Sequence, residues 1–187
     1  DRLIDPEVMD LARRDAERVY VGKAPGCHSW PQDKISGLLV TAARQGKRVV
    51  RLKCGDPGVF ARGAEEAAAL DAADIPWEIV PGVTAASAAS AAMGGFLTER
   101  GSCDTLILTT GRSESEPDKL PDLARHLQPG ARVALYMGVR KADQITQALI
   151  AANLADLVHI EVVANAQQPS QKIIRCSGRE LAEQVHL

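Results

Sequence analysis

The chain has 187 residues, enough for one medium domain or two small ones. It is 45% hydrophobic and 25% charged with a formal net charge of −2, which points away from nucleic acid and from a membrane surface as partners. Aromatic residues make up 3%, so the core has to be built from Ala, Val, Leu and Ile.

Asp5-Pro6-Glu7 predicts a helix start, with an N-cap, a proline at the first position and an acid in the first turn. "RVYVGK" (18–23) reads as a short strand. Ser29 and Gln32 have capping-box spacing, and Ile35, Leu38, Leu39 and Ala42 form the apolar stripe of the helix that follows, ended by Gly46. The pattern then repeats. A strand at 48–53 meets Cys54-Gly55-Asp56-Pro57-Gly58 and a helix from about 63 to 73. Strand 77–80 meets Pro81-Gly82-Val83-Thr84 and a small-residue helix to about Met93. "TLILTT" (105–110) is a clear strand. A helix near 118–127, a strand at 132–137, a helix at 141–152, strands at 159–164 and 171–177 and a helix from 179 complete the chain.

Strands alternating with helices predict an α/β chain with mostly parallel pairing. The aperiodic stretch 94–104 reads as the joint between two small α/β lobes, 1–100 and 101–187. No apolar run reaches membrane-span length and no signal peptide is recognisable. Cys27, Cys54, Cys103 and Cys176 are scattered, without a C-x-x-C, which predicts no zinc site and suits the reducing cytoplasm.

In open parallel sheets, ligands bind beyond the carboxyl ends of strands. Four glycine-containing loops qualify: 54–58, 81–84, 111–115 and 138–140. None is a dinucleotide fingerprint or a P-loop, so each reads locally as a turn or as a ligand-holding loop. Arg62, Arg100, Arg112, Arg140 and Lys141 fall at or just after strand ends or on the joint. Together they suit either a solvated rim or a cleft for a small polyanion.

These motifs in order, "VGK", "RLKCGDPGVFARGAEE", "VPGVT", "LTERG" and then Tyr136-Met137-Gly138 and "NAQQPSQKIIR", resemble the tetrapyrrole methylase family over nearly the whole chain. Within it they resemble the uroporphyrinogen-III C-methyltransferases, including the methylase half of sirohaem synthase. The resemblance implies S-adenosylmethionine-dependent methylation of carbons 2 and 7 of uroporphyrinogen III to precorrin-2, with S-adenosylhomocysteine as co-product. It also implies a homodimer of two-lobed chains with the methyl donor in the cleft between lobes. By the same resemblance, Cys54, Gly55, Asp56, Val59, Thr84, Ala85, Met137 and Ala166 line the donor site. Asp1 is implied as proton acceptor and Lys23 as proton donor, and Arg62, Glu65 and Arg100 are implied to surround the tetrapyrrole.

The sequence departs from the family pattern in places. The family begins with a strand and a G-x-G-P-G-D-P loop, and this sequence starts after them; a usual final strand is also expected beyond Leu187. Cys54, Ala61, Ala64 and Ala166 stand where glycines are common. Cys54 is expected to be strained if its position needs a positive φ. Two other readings stay open: a methylase acting on a later precorrin, and a non-catalytic module that binds tetrapyrrole or methyl donor.

Overall fold

The computed structural model describes residues 3–22, 30–112, 120 and 122–185. The chain divides into two compact units, 1–84 and 85–187, and each is described by itself.

In the first unit, helix α1 (Pro6–Asp10) starts as its sequence dictates: the Asp5 carboxylate accepts from the Glu7 N–H at 2.9 Å, with proline in the first turn. Helix α2 (Gln32–Arg44) buries Ile35 and Leu39, one turn apart on its apolar stripe, and ends at Gly46 with φ 76°. Its N-cap is Pro31, without a side-chain hydrogen bond; Ser29 of the expected capping box lies outside the described residues. Helix α3 (Gly63–Asp71) packs on α2.

The strands expected at 18–23, 48–53 and 77–80 do not form ladders among the described residues. Alternation in a sequence reports a chain able to be a strand, whereas a strand also needs a neighbour about 4.8 Å away to take its backbone hydrogen bonds. Val50 is 79% exposed and Ile79 and Val80 are also exposed. What holds segment 51–53 is a side chain. Glu66 on α3 is only 5% exposed, and its carboxylate accepts from Lys53 Nζ (2.8 Å), Arg51 Nε (3.2 Å) and Gln32 Nε2 of α2 (3.0 Å). One buried carboxylate thus joins α2, α3 and the segment that leads into the 54–58 loop.

The second unit follows the expected order closely. Helix α4 (Ala85–Ala92) is followed by strand β1 (Thr105–Thr110), helix α5 (Leu123–His126) and strand β2 (Ala131–Tyr136). A 3-10 turn (Val139–Lys141) leads into helix α6 (Ala142–Ala151), and strands β3 (His159–Ala164) and β4 (Lys172–Ser177) and helix α7 (Leu181–Val185) complete the unit. Strands β1 and β2 are parallel, from Thr105 opposite Ala131 to Thr110 opposite Tyr136. Strands β3 and β4 form a separate antiparallel pair, because only a short turn joins them and a parallel return needs a long crossover. The core is built from Leu123, Ala142, Ile145, Leu149, Ala155 and Leu181, aliphatic throughout, as the composition requires.

Burial works against the Glu66 charge, but hydrogen bonds from Lys53 and Gln32 and the charges of Arg51 and Lys53 outweigh it and hold the carboxyl below the ordinary glutamate range. Burial pulls the Lys53 ammonium below its ordinary value, offset in part by its bond to Glu66. Replacing Glu66 by Gln leaves buried cations without their counter-charge and is expected to destabilise the first unit by about 3 kcal/mol, read as a lower urea midpoint at neutral pH. A carboxyl with a lowered folded-state pKa stabilises fully above its unfolded pKa and loses that contribution as pH falls through the folded value. The gap between the two proteins should therefore close on acidification below about pH 4, and a gap independent of pH would remove the electrostatic explanation.

Candidate functional site

In the first unit two expected loops meet. The backbone of Gly82, in 81–84, lies so close to the Gly55 carbonyl that no Cβ fits at position 82. Asp56 joins the same loops: its Oδ1 accepts from the Gly58 N–H at 2.7 Å and its Oδ2 from the Gly82 N–H at 3.0 Å. The first bond is the local turn that Asp-x-Gly commonly makes; the second spans 26 residues. Asp56 is therefore a clamp between loops as well as a turn former. Gly55 takes φ 76°, a conformation that favours glycine, and a Cβ on Gly63 would lie 2.7 Å from the Pro57 carbonyl. Val59 donates its N–H to the Asp56 carbonyl at 3.2 Å, closing the turn.

Cys54 is exposed with a free thiol and does not adopt a positive φ. The left-handed strain expected there is absent, because Gly55 takes it. Ala61, Ala64 and Ala166 are likewise free of positive φ. The strain falls on their neighbours: Phe60 (50°) and Arg62 (58°) flank Ala61, and Asn165 (52°) and Gln167 (61°) flank Ala166. Non-glycine residues in this region cost on the order of 1 kcal/mol each and concentrate where surrounding structure dictates backbone shape for function.

Arg62 precedes α3, and its guanidinium holds the Glu65 carboxylate through both oxygens, Nε to Oε1 at 2.7 Å and Nη2 to Oε2 at 2.6 Å. The sequence reading paired both residues with a substrate; the structure adds that they pair with each other, which fixes the direction of the arginine fork.

In the second unit the parallel register sets the carboxyl ends of β1 and β2 side by side. The Gly111 N–H donates to the Tyr136 carbonyl at 2.7 Å. A Cβ on Gly111 would lie 3.1 Å from both the Met137 carbonyl oxygen and the Gly138 Cα. Met137 leaves the strand with φ 58° and is 52% exposed, so it is not a core residue. The Tyr136 hydroxyl accepts from the Ala86 N–H at 3.0 Å, tying the start of α4, where Ala85 lies, to the end of β2.

The expected site residues thus fall into sets. Cys54, Gly55, Asp56 and Val59 form one loop that Gly82 meets two residues before Thr84, with Arg62 and Glu65 just beyond it. Ala85 and Met137 are joined through Tyr136. Arg100 is exposed in the turn between the bridged residues Glu99 and Cys103, and Ala166 lies in the turn from β3 to β4. Asp1 and Lys23 lie outside the described residues, as does 113–115 of the third loop. Sequence reasoning assigned no role to Glu66 or Tyr136. The signal for Glu66 was Arg51 and Lys53 interleaved with Val50 and Leu52, cations that need a buried acid if the segment packs.

A Gly82→Ala substitution drives a Cβ into the Gly55 carbonyl and breaks the 54–58 loop away from 81–84. The expected cost is about 1–3 kcal/mol of stability. Faster hydrogen exchange at the Gly58 and Gly82 amides should accompany it, and unchanged exchange at both would show that the loops tolerate separation.

Comparison with known proteins identifies the family. The sequence profile of the tetrapyrrole (corrin/porphyrin) methylases matches residues 1–182. Siroheme synthase 1 of Yersinia enterocolitica is 44% identical over 188 residues, covering 100% of this chain and 39% of that protein. The chain thus spans well under half the length of the curated relatives it matches. Among solved structures, uroporphyrin-III C-methyl transferase from Thermus thermophilus, complexed with S-adenosylhomocysteine, superposes with a TM-score of 0.79 at 34% identity, covering 98% of this chain and 77% of that one. A cobalt precorrin-4 methyltransferase gives 0.81 at 28% identity, covering 100% and 75%. With a family match across nearly all its residues, the chain belongs to the tetrapyrrole methylases.

Proposed function

We propose that this chain is the methylase portion of a uroporphyrinogen-III C-methyltransferase, transferring methyl groups from S-adenosylmethionine to C2 and C7 to give precorrin-2. The observation that carries the reading is the 34% identity and 0.79 TM-score to the Thermus uroporphyrin-III C-methyl transferase across 98% of the chain. The precorrin-4 methyltransferase matches the backbone as well but has lower identity, 28%. Within one fold, substrate choice is set by side chains, so the higher identity is the better guide to the acceptor.

The residues present fit a methyl donor. At Gly82 no room exists for a side chain and at Gly111 one would be tightly crowded, so backbone groups line the 54–58, 81–84 and 136–138 loops. Such loops offer carbonyl oxygens and N–H groups to a zwitterionic ligand bearing a sulfonium. When bound, S-adenosylmethionine supplies an electrophilic methyl group on a sulfur that departs as a neutral thioether. Asp56 fixes the shape of the first loop through two charge-assisted bonds and leaves a negative charge there. Gly55, Cys54, Val59, Thr84, Ala85, Met137 and Ala166 complete the donor site in this reading.

Arg62, oriented by Glu65, and Arg100 act on the acceptor, whose many carboxylates suit guanidinium forks. Holding the acceptor carbon in line with the transferring methyl group supplies much of the rate. A proton must then leave the methylated ring, and in this reading Asp1 accepts it while Lys23 donates. The same reading makes the chain a homodimer working in the cytoplasm. Its cytoplasmic part is supported by the free thiols of Cys54, Cys103 and Cys176, which suit a reducing compartment.

The test is turnover by the protein with S-adenosylmethionine and uroporphyrinogen III, followed by mass spectrometry. The expected product carries two added methyl groups, and Arg62→Ala should raise the acceptor KM about tenfold or more, the loss of one good charge-assisted contact. Methylation of a precorrin but not of uroporphyrinogen III would select the later-pathway reading. Donor binding without any methylated product would overturn the assignment as an enzyme.

A further inference from the structure

We propose that Tyr136 is a positioning residue of the methyl-donor site, acting through its hydroxyl on the start of α4; this rests on the donor-binding reading above. Tyr136 is the last residue of β2, and three segments of the second unit meet on it. Its carbonyl accepts from Gly111, just past β1 (2.7 Å), and its hydroxyl accepts from Ala86, the second residue of α4 (3.0 Å). The next residue along its own chain is Met137, held at φ 58°.

Each contact constrains something the donor site needs. The first-turn N–H groups of a helix have no partner within the helix, and Ala86 is buried, so water is a poor substitute for the hydroxyl. Loss of that bond frees α4 to move relative to the β2 end, and Ala85 moves with it. Met137 occupies a left-handed conformation that persists only where its surroundings dictate it. The Gly111 contact on one side and the Tyr136 anchor on the other do so. Tyr136 thus sets the separation of Ala85 from Met137 without itself being required to touch the donor. A tyrosine is needed because the ring spans the gap and the oxygen must accept; phenylalanine keeps the ring and removes the hydroxyl, donor and acceptor together.

The experiment compares the unsubstituted full chain with Tyr136→Phe by calorimetry with S-adenosylhomocysteine, by thermal unfolding, and by steady-state kinetics with each substrate varied. The expected result is a Kd for S-adenosylhomocysteine and a donor KM raised about three- to tenfold, the range for one lost hydrogen bond. The acceptor KM should be unchanged and kcat at saturating donor within about twofold. A lower melting temperature with unchanged Kd and donor KM would make the hydroxyl a helix cap only and would overturn the proposal. Equal rises in donor and acceptor KM would overturn it too, because the effect would not be local to the donor. If the unsubstituted chain fails to bind S-adenosylhomocysteine, the donor-site reading falls and the proposal with it; binding with identical constants in the two proteins overturns the proposal alone.

Discussion

The buried carboxylate of Glu66 is the constraint on which the first unit depends. Its partners Lys53 and Arg51 lie on a segment with no ladder among the described residues, and Gln32 lies at the start of α2. In most α/β proteins the sheet itself fixes where a strand ends. Here a charge cluster does that work, and it does so one residue before the loop that begins at Cys54. Three donors around one carboxylate satisfy it and are satisfied by it; removal of any one exposes the desolvation cost of the rest.

Within each unit, the close approaches at the expected loops are chiefly between backbone groups. A methyl group would prevent the contact of Gly82 with Gly55 and would crowd that of Gly111 with Met137. Side chains enter as fasteners: Asp56 between two loops, Arg62 with Glu65 at the head of α3, Tyr136 between β2 and α4. A ligand rich in both positive and negative groups is well served by such walls, since peptide dipoles present both signs without the entropy of long side chains. The non-glycine residues with positive φ at 60, 62, 137, 165 and 167 lie at or beside the positions assigned to ligands. Asp74 and Asn153 adopt the same conformation away from those positions, so positive φ also marks ordinary turns in this fold.

Some of this was legible in the chain and some was not. The Asp5-Pro6 start, the Ile35 and Leu39 stripe and the four strands of the second unit were readable because caps and periodicity are local signals. The unpaired state of 48–53 and 77–80 was not, because alternation describes a face and says nothing about a neighbour. The antiparallel β3–β4 pair went against the general parallel expectation, although the short connection between the strands held the clue. The cost expected at Cys54 was misplaced by one residue, since the turn takes its left-handed step at Gly55.

By itself the sequence determined the family and the helical and strand segments of the second unit, because ordered motifs and local propensities survive without coordinates. Only the tertiary structure decided what the glycine-containing loops do to one another. That Asp56 reaches across 26 residues to Gly82, that Glu66 gathers cations from one segment and an amide from another helix, and that Tyr136 fastens α4 are facts of distance. Hydrogen bonds between residues far apart in the chain depend on where folding brings them, and no local pattern encodes that position.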